Sequence, residues 1–239
     1  MDFIRFFITL CALFIASFSH SISAKLLIGV SSENVESLKY YRKQFHGELK
    51  SAYSCVINHL ESDFDVITVP QARLIKMLKN NEVDIAMPLL LLPQRDLFAT
   101  RSTTTYQVGY QLIIQANETD LSIRNLRKQA LLQGIAYKRG TGARTLILKY
   151  LDIDENEILS HEQEVNTWQQ AVEFVAKNRA GITALPTVIA KDIEPHHFDG
   201  VTRIKMPDHQ LGLYMSSRFA KSAEATVIND ASKTCKELR

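Results

Sequence analysis

The spacing of apolar side chains divides the chain into short alternating elements. Lys25–Val30, "KLLIGV", is a continuous apolar run of strand length. In "HGELKSAYSCVINHLES" the positions Leu49, Ala52, Tyr53, Val56, Ile57 and Leu60 recur at steps of three and four, which places them on one face of a helix. "FDVITVP" alternates and is rich in β-branched residues, so it predicts a strand closed by Pro70. "QARLIKMLKNNEV" predicts a helix with Leu74, Ile75, Met77 and Leu78 inward and Asn80 and Asn81 ending it. "VDIAMPLLLL" is a third strand. This β-α-β-α-β order predicts a parallel sheet covered by helices on both faces.

Val108–Gln115, "VGYQLIIQ", is a long extended segment, after which the alternation resumes. The pattern predicts a helix in "LSIRNLRKQ", a strand in "QGIAYKR", a helix from Gly142 to Leu151 and a strand near "EIL". A helix in "NTWQQAVEFVAKNRA" and a strand in "GITALP" follow. "VTRIKMP" and "LGLYMSS" return as strands, and "AKSAEATVINDASKTCKEL" closes as a helix. No internal repeat and no low-complexity tract interrupts the series. Two α/β lobes with a cleft between them fit this order, the chain crossing once and coming back.

The first 24 residues fall outside this scheme. A short front with Arg5, an apolar stretch from Phe6 to Phe18 and the small residues Ser21, Ser23 and Ala24 form the layout of a secretory signal peptide. Its apolar core is about 13 residues, short of the ~20 that span a bilayer. The rest is expected in the periplasm. With 28 Lys and Arg against 26 Asp and Glu, the formal charge is +2, and no segment concentrates basic residues. Nucleic acid is therefore excluded as main partner, because phosphate binding needs clustered cations.

Past the leader two cysteines remain, Cys55 and Cys235. In an oxidising compartment an even pair reads as a disulfide joining an early helix to the last one. The other reading is two buried thiols acting as small hydrophobes.

Two features carry candidate chemistry. Arg95 follows the apolar "PLLLL" directly, either as a surface charge or as a fixed cation where a strand opens into the cleft. In "RGTGAR", Arg139–Arg144, a strand ends, two glycines permit a tight turn and a helix starts, leaving backbone N–H groups that favour an anion. A dinucleotide fingerprint fails there: the last position is Thr145, and the acidic residues Asp152, Asp154 and Glu155 come too early. No catalytic motif and no metal-ligand spacing is present. The adjacent His196 and His197 read as surface residues. No cofactor is expected.

The chain resembles the extracellular solute-binding proteins of family 3, amino-acid-binding proteins with the periplasmic-binding-protein type II fold. The resemblance rests on the leader followed by "LLIGV", on "LIKMLKNNEVDIAMPLLLLPQRDLFATRSTTTYQVGYQLII", on "GIAYKRGTGARTLI" and on "AVEFVAKNRAGITALPTVIA". It implies lobe one at about Lys25–Gln111 plus Pro207–Arg239, lobe two at about Leu112–Met206, and hinge strands near 111–115 and 203–206. It implies a non-enzymatic monomer that captures a small molecule by lobe closure for the membrane permease of an ABC transporter; the alternatives are the ligand-sensing partner of a membrane sensor and a cleft enzyme on the same fold. Arg95 matches the family's carboxylate clamp, whose planar fork makes two charge-assisted hydrogen bonds to one carboxylate. Thr141, Gly142 and Arg144 match the second anion site, and Tyr40 and Tyr41 lie where the family places stacking rings. Two departures bear on the ligand. Pro88, Leu90 and Leu91 stand where the family has hydroxyls, and Pro186 lies near the place of the acid that receives an ammonium. A buried ammonium without a partner is costly, so the ligand is expected to be less zwitterionic than an amino acid, with an anionic or carboxylate group.

Overall fold

A computed structural model describes residues 25–32, 38–103, 106–158 and 162–235, so the expected leader lies outside the described residues. The elements in chain order are β1 (Leu26–Ser31), β2 (Lys39–Tyr41), β3 (Gln44–His46), α1 (Lys50–Ile57), β4 (Phe64–Val69), α2 (Gln71–Lys79), β5 (Ile85–Leu90), α3 (Pro93–Asp96), β6 (Ala99–Arg101) and β7 (Tyr106–Val108). They continue as β8 (Tyr110–Gln115), α4 (Ile123–Gln133), β9 (Ile135–Lys138), α5 (Ala143–Leu151), α6 (Glu155–Ile158), β10 (Glu162–Val165), α7 (Trp168–Ala176), β11 (Ile182–Pro186), α8 (Thr187–Asp192), β12 (Val201–Lys205), β13 (His209–Ser216) and α9 (Ala223–Thr234).

Two sheets result. The first has the order β4-β1-β5-β13-β6, with β7 also on β13, and the second the order β10-β9-β11-β8-β12. Strands β4, β1 and β5 run parallel, as the alternation predicts, while β13 is antiparallel to β5. In the second sheet β10, β9 and β11 are parallel, and the long β8 lies antiparallel between β11 and β12. The chain passes from the first sheet to the second at Gly109 and returns between β12 and β13, where the Met206 N–H donates to the Tyr110 carbonyl at 2.9 Å. Both crossings therefore lie side by side.

Helix starts follow local capping chemistry. Ser122 and Ser222 accept backbone N–H groups at the starts of α4 and α9, and Thr167 with Gln170 forms a reciprocal cap at α7. Cys55 in α1 and Cys235 at the end of α9 form the expected disulfide, with Cα atoms 5.6 Å apart. It sits beside an apolar cluster that includes Val56, Ile57, Ile228 and Ala231.

Two segments differ from their expected form. The strand expected near "EIL" is helical, and the strand comes later as β10. Asp154 Oδ1 accepts the Asn156 N–H while Glu157 Oε2 accepts the Asp154 N–H, a reciprocal cap that winds the turn and buries Ile158. The segment around Tyr40, to which the hydrophobic pattern assigns no element, is the β2–β3 hairpin. Its two turn residues, Arg42 and Lys43, have φ of 50° and 61°. That two-residue geometry normally uses Asn or Gly, so the sequence carries no hairpin signal.

Candidate functional site

The carboxyl ends of β5, β9 and β11 face one another across the junction of the two lobes, the place where open α/β sheets bind ligands. There they enclose a cavity of about 40 Å³, room for roughly three water molecules. Gln71, Pro88 and Leu90 line it from the first lobe, Thr141, Trp168 and Pro186 from the second, and Val108 and Tyr110 from the crossing. No charged side chain borders it among the described residues. A wider groove of about 670 Å³ opens on the other side of Leu90, but its rim mixes Arg101 and Lys149 with Glu155 and Asp208 and so favours neither charge.

The lobes touch directly. Gly140, at φ 73°, lies so close to α2 that a Cβ there would sit 2.5 Å from the Ala72 Cα. A Cβ on Gly142 would sit 2.7 Å from one methyl of Leu90 and 2.8 Å from one of Leu92. The leucines of the "PLLLL" run thus cover the start of α5, and Leu90 and Leu92 belong to the same apolar cluster as Leu146 and Ile147 of that helix. The two glycines permit this approach because neither carries a side chain.

Arg95 is the polar counterpart of that contact. It is 5% exposed, on the short α3 that follows β5. Its Nη1 donates to the Leu90 carbonyl at 2.8 Å and its Nη2 to the Gly140 carbonyl of the other lobe at 3.3 Å. Burial pulls its pKa down to about 10, a loss that the phenols of Tyr214 and Tyr110 only partly offset. No carboxylate faces it among the described residues. Its neighbour Asp96 turns instead to the Tyr214 hydroxyl at 3.0 Å and to Arg101 at 3.4 Å. The Tyr214 hydroxyl also accepts the Leu92 N–H at 2.8 Å, which fixes the turn that carries Arg95. Burial pushes the Tyr214 pKa up to about 12, so this hydroxyl stays protonated.

Of the other residues expected at the site, Thr141 lines the cavity, donates to the Lys138 carbonyl at 2.7 Å and accepts the Ala143 N–H. Gly142 starts α5 against the leucines. Arg144 turns away within its own lobe: its Nε and Nη2 donate to Glu162, at 2.7 Å for the closest, and Glu155 lies 3.5 Å off. The hydrogen bond to Glu162 raises its pKa above the usual range. Tyr40 packs on Phe45, with ring centroids 4.9 Å apart, and Tyr41 is 57% exposed under Arg42. Neither tyrosine lines the cavity.

Gln71, Tyr110 and Trp168 line the cavity although sequence patterns gave them no ligand role. The Trp168 Nε1 is buried and has no hydrogen-bond partner among the described residues, a polar group left unsatisfied there. Tyr110 is 3% exposed, and burial raises its pKa against the pull of Arg95. A Gln directly after Pro70 and a Trp opening a helix were visible as residue types, but only the fold brings them together.

Behind Tyr110, His209 meets its ring edge-on at 5.5 Å, and the His209 Nε2 is buried without a partner. Burial, then Lys149, lowers the His209 pKa, and Asp208 opposes them. The folded state therefore binds the proton less readily than the unfolded chain. Its contribution is complete above the ordinary histidine pKa and is lost as pH falls below that value toward the folded one. The melting temperature is expected to drop between about pH 7.5 and about pH 5, and His209→Gln flattens that slope. An equal slope in the variant would assign it to other groups.

No family model matches the sequence, and no curated protein matches it. Solved structures do match its fold. The arginine-, lysine-, histidine-binding protein ArtJ from Geobacillus stearothermophilus superimposes with TM-score 0.65 at 12% identity, covering 88% of each chain. The GluR0 ligand-binding core in complex with L-glutamate gives TM-score 0.64 at 16% identity over 90% of this chain and 93% of that one. The ancestral amino acid-binding protein AncCDT-1, a precursor of cyclohexadienyl dehydratase, gives 0.59 at 14% identity over 88% of each. The chain has the two-lobed fold of these amino-acid-binding proteins.

Proposed function

We propose that this protein is a periplasmic solute-binding protein that closes its lobes on a small anionic ligand bearing a carboxylate. The observation that carries this is Arg95, a buried full charge at the lobe junction that, among the described residues, is held by two carbonyls. A buried cation without a counter-ion is expensive, and a ligand carboxylate supplies the missing charge by replacing Gly140 as the acceptor. Its planar fork suits two parallel bonds to one carboxylate. Thr141 lines the opposite wall, and Gly142 starts α5 beside it beneath Leu90 and Leu92, so the start of α5 favours negative charge there once the lobes part. The cavity is small as closed, so the ligand enters with the lobes apart. The hinge strands are Gln111–Gln115 and Arg203–Met206, which lie next to the two crossings. Among the described residues no acid lines the cavity to receive an ammonium, and Arg95, outside that lining, is reached as the lobes part, which favours simple carboxylic acids over amino acids. The closed form is a monomer and is what a membrane permease or a membrane sensor takes up.

The test is a thermal-shift and calorimetric screen of aliphatic and aromatic monocarboxylates, each beside its own amide and the corresponding amino acid. Ligand at about 100 times its dissociation constant adds ~2.7 kcal/mol, a few degrees in a chain of this size. A binding acid whose amide does not bind, and whose binding is lost in Arg95→Met, is the expected result. Amides that bind as well as acids, or binding retained in Arg95→Met, would overturn it.

A further inference from the structure

On the outer face of the second lobe, α7 and the 3-10 turn Pro195–Phe198 bring together two histidines and two carboxylates. The geometry points to a binding site for one divalent transition-metal ion, of the zinc class, held by Glu194, His196 and His197 and oriented by Glu173.

Each of Glu194, His196 and His197 offers a ligating atom, and these atoms lie within 4.8 Å of one another. The His196 and His197 rings stand 3.9 Å apart, centre to centre, so consecutive residues here converge instead of pointing away from each other. His196 Nδ1 lies 3.3 Å from Glu194 Oε2. Around a tetrahedral zinc with bonds of ~2.0–2.1 Å the ligand atoms stand roughly 3.3 Å apart. The exposed side chains of Glu194 and His196 reach that spacing by rotation alone.

His197 is the anchor. Its side chain is 15% exposed and its Nδ1 lies 3.2 Å from Glu173 Oε1. The Gln169 amide donates to its Nε2 at 2.7 Å, which puts the ring proton on Nδ1. Glu173 is fixed in turn by Lys177 at 3.0 Å and by Gln169 at 3.3 Å. Glu173 comes within reach of the Nδ1 proton when the ring turns to take up metal, and a carboxylate so placed is the usual outer support of a zinc ligand. It leaves the Nε2 lone pair as the ligating one, and Gln169 now occupies it. Imidazole and carboxylate ligands favour zinc, nickel or copper, whereas calcium and magnesium prefer all-oxygen sites. Bound metal would fix the turn before β12, whose residues supply all three ligands.

Calorimetric titration of Zn²⁺ into the tag-free protein with its disulfide intact is the test. The expected result is one zinc per chain. His196→Ala and His197→Ala each weaken it at least ~10-fold, Glu173→Gln weakens it ~10-fold, and Gln169→Ala, which uncovers Nε2, tightens it. Zinc also raises the melting temperature of the wild type and leaves that of His197→Ala unchanged. The site is disproved by no binding of Zn²⁺, by equal binding of Mg²⁺, by undiminished zinc binding in the His196→Ala/His197→Ala double variant, or by loss of binding in His59→Ala on the other lobe.

Discussion

Replacing Cys55 and Cys235 with serine is expected to lower the melting temperature by roughly 10 °C. The bridge spans a sequence separation of 180 residues. In the chain-entropy picture a loop of that length restrains the unfolded state by about 5 kcal/mol, the upper end of what disulfides contribute. One kcal/mol moves the midpoint by about 2–4 °C in a protein of this size. The folded state changes little, because α1 and α9 also meet through Val56, Ile57, Ile228 and Ala231 of one buried cluster. The variant therefore folds at room temperature and melts early. Differential scanning calorimetry of the oxidised, reduced and Ser/Ser forms checks this, and the reduced wild type should match the double variant. A loss under about 2 °C would mean that the unfolded chain keeps its ends together without the bond.

The alternation of strands and helices was legible because each element buries one face. Gly29 to Ser31 and Ile85 to Leu90 are buried without a break, as in a strand covered on both sides. The misread elements are those whose backbone is set by side-chain hydrogen bonds or by turn angles. Asp154 and Glu157 wind a turn where "EIL" looks like a strand, and Arg42 and Lys43 adopt left-handed angles that their residue types do not announce.

The site was legible in part, for a related reason. Arg95 stands out in sequence as a charge behind an apolar run, and the fold buries it at the lobe junction. Arg144 has the same residue type beside the same glycines, yet Glu162 and Glu155 are placed to neutralise it. Only the pairing of β10 with β9 brings Glu162 there. Which of two arginines keeps its charge unspent is thus decided by strands far apart in sequence. Gln71, Tyr110 and Trp168 were unreadable as a set for the same cause: they come from a helix start, a crossing strand and a second helix start.

Gly140→Ala is expected to hold the lobes apart. The residue sits at φ 73°, and its Cβ would fall 2.5 Å from the Cα and 2.6 Å from the N of Ala72. Those are backbone atoms in the first turn of α2, so no side-chain rotation relieves the overlap. The lobes must separate, and Arg95 then loses the Gly140 carbonyl. Small-angle X-ray scattering should show a larger radius of gyration than wild type, and ligand affinity should fall at least ~10-fold, since closure against the clash costs more than the ~1.4 kcal/mol which that factor represents. The left-handed angle itself costs an alanine about 1–2 kcal/mol, and Gly200→Ala separates the two effects. Gly200 has φ 77° and nothing within 4 Å of its Cβ position. That variant should lose comparable stability while keeping the wild-type radius and affinity. If Gly140→Ala merely matches Gly200→Ala in all three measurements, the lobes do not close through Gly140. Arg95 would then have to find its acceptor elsewhere.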